Sequence, residues 1–133
     1  MPPREQIRLL MLKAAQDEYV LDALLNDPRA PVEVFGFHAQ QAAEKMLKAI
    51  IVAAGGTFPM SHRIAELLDL AKDLRARLPD SFEELRHLTP FAVEFRYDVM
   101  PEESEEPLDV RRVRQLLRDL RAWAEKSASG VST

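Results

Sequence analysis

Phe37-His38-Ala39-Gln40-Gln41-Ala42-Ala43-Glu44-Lys45-Met46-Leu47-Lys48-Ala49 is the stretch whose reading decides the fold. Its apolar residues recur at helical spacing, and the pattern extends in both directions, from about Pro31 to Ala54. Pro31 suits a first turn, and Gly55-Gly56 suits a stop. One apolar stripe is not enough to hold these residues. Phe35, Ala39, Ala42, Met46, Ala49, Ile50 and Ala53 form one face, and Phe37, Leu47, Ile51 and Ala54 form another, so the helix is expected to be central, with partners on two sides. Between them His38, Gln41, Lys45 and Lys48 fall at spacings of three, four and three and form a polar ribbon. Two readings of the ribbon are open: a solvated or interhelical hydrogen-bonding face, and the lining of a ligand or partner cleft. Glu44 and Lys48, four apart, are read as a helical ion pair.

Working outward, a first helix is expected from about Arg4 to Asn26 on Ile7, Met11, Ala14, Leu21 and Leu25, ended by Asn26-Asp27-Pro28. A third runs from a Ser61 cap to about Arg77 on Ile64, Leu67, Leu68, Ala71 and Leu74. A fourth opens with Ser81-Phe82-Glu83-Glu84 as a capping box and carries Leu85, Leu88, Ala92 and Phe95. Pro90 interrupts it, so a kink or short break is expected near Leu88-Thr89. After the acidic connector from Pro101 to Glu106, a fifth helix runs from about Pro107 to Glu125 on Val110, Val113, Leu116, Leu117, Leu120 and Trp123. The expected fold is all-α, an up-and-down bundle of four to five helices over residues 1–126, with residues 127–133 a flexible polar tail.

Composition excludes several classes. A chain of 133 residues holds one core, and its 47% hydrophobic and 30% charged residues are globular values. The apolar run from Ala49 to Ala54 is too short to span a bilayer, and no basic-then-apolar leader opens the chain, so a cytoplasmic, membrane-free location is expected. There is no cysteine, so disulfides and thiol chemistry are excluded. His38, His62 and His87 are never three or four residues apart, and no metal is expected. Gly55-Gly56 is a helix stop rather than a phosphate cradle, no nucleophile stands in a recognisable setting, and no cofactor is expected. The net charge of -4 argues against general attraction to nucleic acid. Two local features remain open. His62 sits near a helix N-terminus, where backbone donors meet anions. Arg111, Arg114, Arg118 and Arg121 form a ribbon on the fifth helix, either a charged solvent face or a phosphate track.

The stretch from Phe37 to Ala49 resembles the second helix of HEPN domains, named for their occurrence in higher eukaryotes and prokaryotes and for nucleotide binding. Further pieces follow in the family's order: Gly55-Gly56, Ser61-His62 at the next helix, and Phe95-Arg96-Tyr97 near the end of the fourth. The resemblance spans about Ile7 to Trp123. It implies a helical bundle that forms a homodimer, often encoded beside a minimal nucleotidyltransferase as a toxin and antitoxin pair. Many catalytic members are metal-independent ribonucleases whose motif is an arginine followed four to six residues later by a histidine. Here Arg96 is followed by Tyr97-Asp98-Val99-Met100-Pro101-Glu102-Glu103, with no histidine. Arginine does not move protons near neutral pH and histidine does, so cleavage loses its usual base. The family's histidine-aspartate-leucine run also reads His62-Arg63-Ile64 here.

The expectation is therefore a homodimeric module that binds nucleotide, RNA or a nucleotidyltransferase partner without cutting. The alternative is a ribonuclease toxin with a non-standard site. Arg96, Tyr97, His38, Gln41, Lys45 and His62 are the candidate binding residues, and none is assigned a catalytic role.

Overall fold

The computed structural model describes residues 1–92 and 108–131. Among the described residues four α-helices and one 3-10 helix make up an all-α bundle: α1 (Pro3–Leu24), α2 (Val32–Ala53), α3 (Ile64–Asp73), the 3-10 segment Asp80–Phe91, and α4 (Val110–Ala128). No described helix is long and apolar enough to cross a membrane.

Helix α1 opens on Pro3, whose missing N–H falls where the helix has no acceptor to offer. It ends before the turn in which Asp27 Oδ1 accepts from Arg29 N at 2.9 Å. Helix α2 stops at the glycine pair as the sequence indicates. Gly55 takes φ 89°, Gly55 N donates to Val52 O, and Gly56 N donates to Ile51 O, both at 3.0 Å. This is the paired-bond ending that a left-handed glycine permits.

Helix α3 departs from expectation at both ends. Its N-cap is Arg63 and not Ser61; Ser61 Oγ accepts from Arg63 N and donates to Glu66, while Ile64 N is satisfied by Thr89 Oγ1 of the 3-10 segment at 3.2 Å. The helix ends at Asp73, four residues short of Arg77, because Arg75 turns left-handed at φ 65° and Ala76 N donates back to Ala71 O. Arginine in that conformation is disfavoured, so no glycine announced the stop.

Over Asp80–Phe91 the expected kinked fourth α-helix is instead a 3-10 helix, with no side-chain cap from Ser81, and Phe95 lies outside the described residues. Three residues per turn place Phe82, Leu85, Leu88 and Phe91 above one another, and the first three are buried. Pro90 sits inside the segment. In α4, Asp109 Oδ1 accepts from Arg112 N at 3.1 Å as the cap. The helix continues to Ala128, three residues beyond Glu125, and Val131 packs with Ile7, Ala49 and Val52.

Helix α2 is the centre, and α1, α3, α4 and the 3-10 segment all pack on it. Most of both apolar faces is covered within the one chain: Phe35, Ala39, Met46, Leu47, Ile50 and Ile51 are each at most 2% exposed, while Phe37 is half-buried and Ala54 exposed at the ends of the second face. At the start of α2, Gly36 lets the Phe91 ring lie against the helix, for a Cβ there would come within 2.3 Å of Phe91 Cδ1. The 3-10 segment docks through this contact.

Candidate functional site

The polar ribbon of α2 is one part of a longer network. His38 Nδ1 lies 2.9 Å from Asp17 Oδ1, and Lys45 Nζ donates to Asp17 Oδ2 at 2.6 Å. Lys45 also reaches Gln41 Oε1 at 3.4 Å, and Gln41 Nε2 donates to Gln40 Oε1 at 2.7 Å. Gln40, wholly buried, donates from Nε2 to Glu44 Oε1 at 2.9 Å and to the His62 carbonyl at 3.0 Å. Glu44 closes the chain by accepting from Lys48 Nζ and from His62 Nδ1, each at 2.9 Å. The structure thus brings His38, Gln41, Lys45 and His62 into one connected arc along α2. Arg96 and Tyr97 lie outside the described residues.

Two buried carboxylates organise the arc, Asp17 from α1 and Glu44 from α2 itself. Burial alone would raise the Glu44 carboxyl, but hydrogen bonds from Lys48, Gln40 and His62, with the Lys48 charge, outweigh it and hold the pKa below the usual glutamate value. Glu44 is therefore an anion in the fold. A carboxylate accepts only, so Nδ1 of each histidine carries the hydrogen, and Nε2 is the ring nitrogen that the carboxylate does not engage. The His38 side chain is 23% exposed, Lys45 24% and His62 67%. Chemically, the arc offers two oriented imidazoles and one ammonium for hydrogen bonds to an incoming anionic or polar ligand. The Lys48 Nζ faces inward, 5.1 Å from the Phe58 ring centroid.

Asp17 was not singled out by sequence reasoning, although a signal exists. The first-helix stripe, Ile7, Met11, Ala14, Leu21 and Leu25, skips a turn, and the gap is occupied by Asp17 and Glu18. A polar pair in a core stripe implies buried partners. All buried side-chain nitrogens and oxygens among the described residues have one. His62 is also placed differently from expectation: it precedes the Arg63 cap and turns its ring to Glu44, rather than presenting helix-terminal donors to an anion.

The fifth-helix ribbon divides: Arg111 and Arg118 are exposed, whereas Arg114 is buried and Arg121 half-buried against α1. Arg114, 5% exposed, holds Asp22 with two bonds at 2.6 and 3.1 Å and Glu18 at 3.1 Å. Arg121 binds Glu18 at 2.5 Å and the Met11 carbonyl at 3.2 Å, Arg118 approaches Asp22 at 3.7 Å, and Arg111 donates to Asn26 at 2.7 Å. The Arg114 hydrogen bonds hold the Asp22 carboxyl below its usual value. This ribbon is the tie between α1 and α4. Among the described residues no group of three or more histidines and carboxylates could hold a metal ion.

The family model for the HEPN domain matches residues 9–127, nearly the whole chain. The chain belongs to the HEPN family. In this HEPN domain the family's signature helix is α2, and its polar residues are those that Asp17 and Glu44 organise. No curated protein and no solved structure matches the chain. Family membership supports a nucleotide- or RNA-related module.

Proposed function

We propose that this HEPN domain works as a homodimeric binding module for nucleotide or RNA, partnered with a minimal nucleotidyltransferase in a toxin–antitoxin-like pair, and that it binds without cleaving. The observation that carries the binding reading is the arc on α2: His38, Lys45 and His62 are held by buried carboxylates, and each imidazole is engaged through Nδ1. Groups fixed in advance lose little freedom when a ligand arrives. Gln41 lies between them, and Arg96 and Tyr97 join the proposed site from the family's functional region. Location in the cytoplasm belongs to the same proposal.

Titration of fluorescently labelled RNA and labelled adenine and guanine nucleotides with the purified protein tests the reading. Saturable binding that weakens with salt is the expected result. No binding to any of these, together with failure to co-purify with a co-expressed nucleotidyltransferase, would refute it.

A second reading, a metal-independent ribonuclease with a non-standard site, is favoured by one observation. Each histidine is oriented by a buried carboxylate at Nδ1, which is how a base is held for proton transfer. The expected outcome is no RNA cleavage above background in chelator, because no histidine follows Arg96 at the motif spacing. Cleavage that survives chelation and is lost in His38→Asn would establish the second reading instead.

A further inference from the structure

Away from the arc, a groove of about 680 Å³ opens between the segment 57–59 and the outer face of α3. The loop that walls it is tied to α3 at both ends. At one end Gly56 lies so near Leu74 that a Cβ there would come within 2.4 Å of Leu74 Cδ1. At the other, Ser61 Oγ donates to Glu66 at 2.9 Å. Between these ties the loop stands off the helix, and Phe58 is packed against the core and 5.1 Å from Lys48 Nζ, so the wall is fixed before any ligand arrives. Phe58, Pro59, Ala65 and Leu70 make the apolar part of the lining. Met60, 98% exposed, continues the apolar surface along the same loop. A preformed apolar groove beside an exposed methionine is a surface suited to receiving a partner's side chains.

The charges of the lining decide which partner fits. Glu66, Asp69 and Asp73, all exposed, fall at spacings of three and four, within roughly 60° of one another around α3, and form a row about 10 Å long. Against these three carboxylates, Arg63 is the one cation in the lining. Of the three, only Asp69 is ion-paired among the described residues, to Arg86 at 2.8 Å. We propose that the groove docks an amphipathic helix of a partner protein, which sets apolar side chains against Phe58, Pro59 and Leu70 and lysines or arginines over the α3 row. A helix laid along α3 repeats its side chains at the same three- and four-residue steps, so its cations come into register with the carboxylates. The same carboxylates repel phosphate, which sets this face apart from the α2 arc and makes the proposal independent of the nucleotide and RNA reading. A small cation would answer the row but leave the apolar wall and Met60 uncovered.

Fluorescence anisotropy of a labelled synthetic helical peptide, with leucines on one face and lysines beside them, titrated with the full chain, tests this. Two further peptides carry glutamate in place of every lysine, or serine in place of every leucine. The leucine-lysine peptide should bind saturably and both others at least about tenfold more weakly, since the site needs the apolar face and the cations together. Glu66→Gln with Asp73→Lys, in which glutamine still accepts from Ser61, should weaken binding at least about tenfold. Glu33→Gln with Asp119→Lys makes the same change of charge away from the groove and should bind as the wild type does. Circular dichroism confirms that each variant is folded. No binding of the leucine-lysine peptide by the wild type would overturn the proposal. Equal losses in the two charge variants would also overturn it, leaving only general attraction to an acidic chain, and so would equal binding of the serine peptide, leaving only a site for cations.

Discussion

Asp17 and Glu18 are consecutive residues of α1, both buried, and they serve different neighbours: Asp17 holds His38 and Lys45 of α2, whereas Glu18 holds Arg114 and Arg121 of α4. A step of about 100° between adjacent helical residues is what divides them. One turn of α1 is therefore tied to two helices by charge, at the level where its apolar stripe is interrupted. Asp17 belongs to the candidate site and Glu18 to the scaffold.

The first prediction concerns the Asp17–Lys45 bond. Asp17→Ala leaves His38 and Lys45 without their acceptor and should lower stability by about 2–3 kcal/mol in urea denaturation. Replacing both partners with apolar residues, Asp17→Leu with Lys45→Met, should recover most of that loss, because no unpaired charge remains beneath α1. A double variant as unstable as the sum of the singles would show that the bond is not the operative contact.

Glu44 makes stability depend on pH in a defined direction. Its carboxyl is held below the usual 4.5 by hydrogen bonds from Lys48, Gln40 and His62 that outweigh the effect of burial. The folded state thus takes up a proton less readily than the unfolded state. The stabilisation is fully present above about pH 4.5 and is lost as pH falls through the lower folded value. Urea midpoints measured on either side of that range should fall more steeply for the wild type than for Glu44→Gln. Parallel curves would contradict the assignment.

Gly36 and Phe91 give a prediction whose sign reverses with background. Gly36→Ala places a Cβ 2.3 Å from the Phe91 ring and should cost about 1–3 kcal/mol. In a Phe91→Ala background the clash is gone, and the same substitution should stabilise by up to about 1 kcal/mol, the helix preference of alanine over glycine. Thermal denaturation of the four proteins settles it; destabilisation in both backgrounds would refute the docking role of Gly36.

Much of the fold was legible because α2 carries its information locally. Two apolar stripes on one period, closed by Gly55-Gly56, indicate a central helix with no reference to the rest of the chain. The fourth segment was misread because Phe82, Leu85, Leu88 and Phe91 repeat every three residues, whereas an α-helical template groups Leu85, Leu88 and Ala92. The end of α3 was missed because it turns on an arginine, and the cap of Ile64 because Thr89 comes from another element. At the site, His38, Gln41 and Lys45 share a helix and could be found by spacing. Asp17 stands 21 residues from His38 and 28 from Lys45, and His62 stands 18 from Glu44, so those pairings arise only when the helices pack.

The central claim is that the Nε2 nitrogens on the α2 arc contact ligand rather than only complete the scaffold. Asparagine replaces the Nδ1 donor of histidine and removes Nε2, so His38→Asn and His62→Asn should keep the Asp17 and Glu44 bonds and the wild-type melting temperature. Fluorescence anisotropy with whichever labelled RNA or nucleotide the wild type binds is the direct measurement. The account predicts a dissociation constant at least about tenfold weaker in the double variant, a loss of roughly 1.4 kcal/mol, with melting unchanged. Wild-type affinity in a double variant that melts normally would contradict it and return the arc to a structural role.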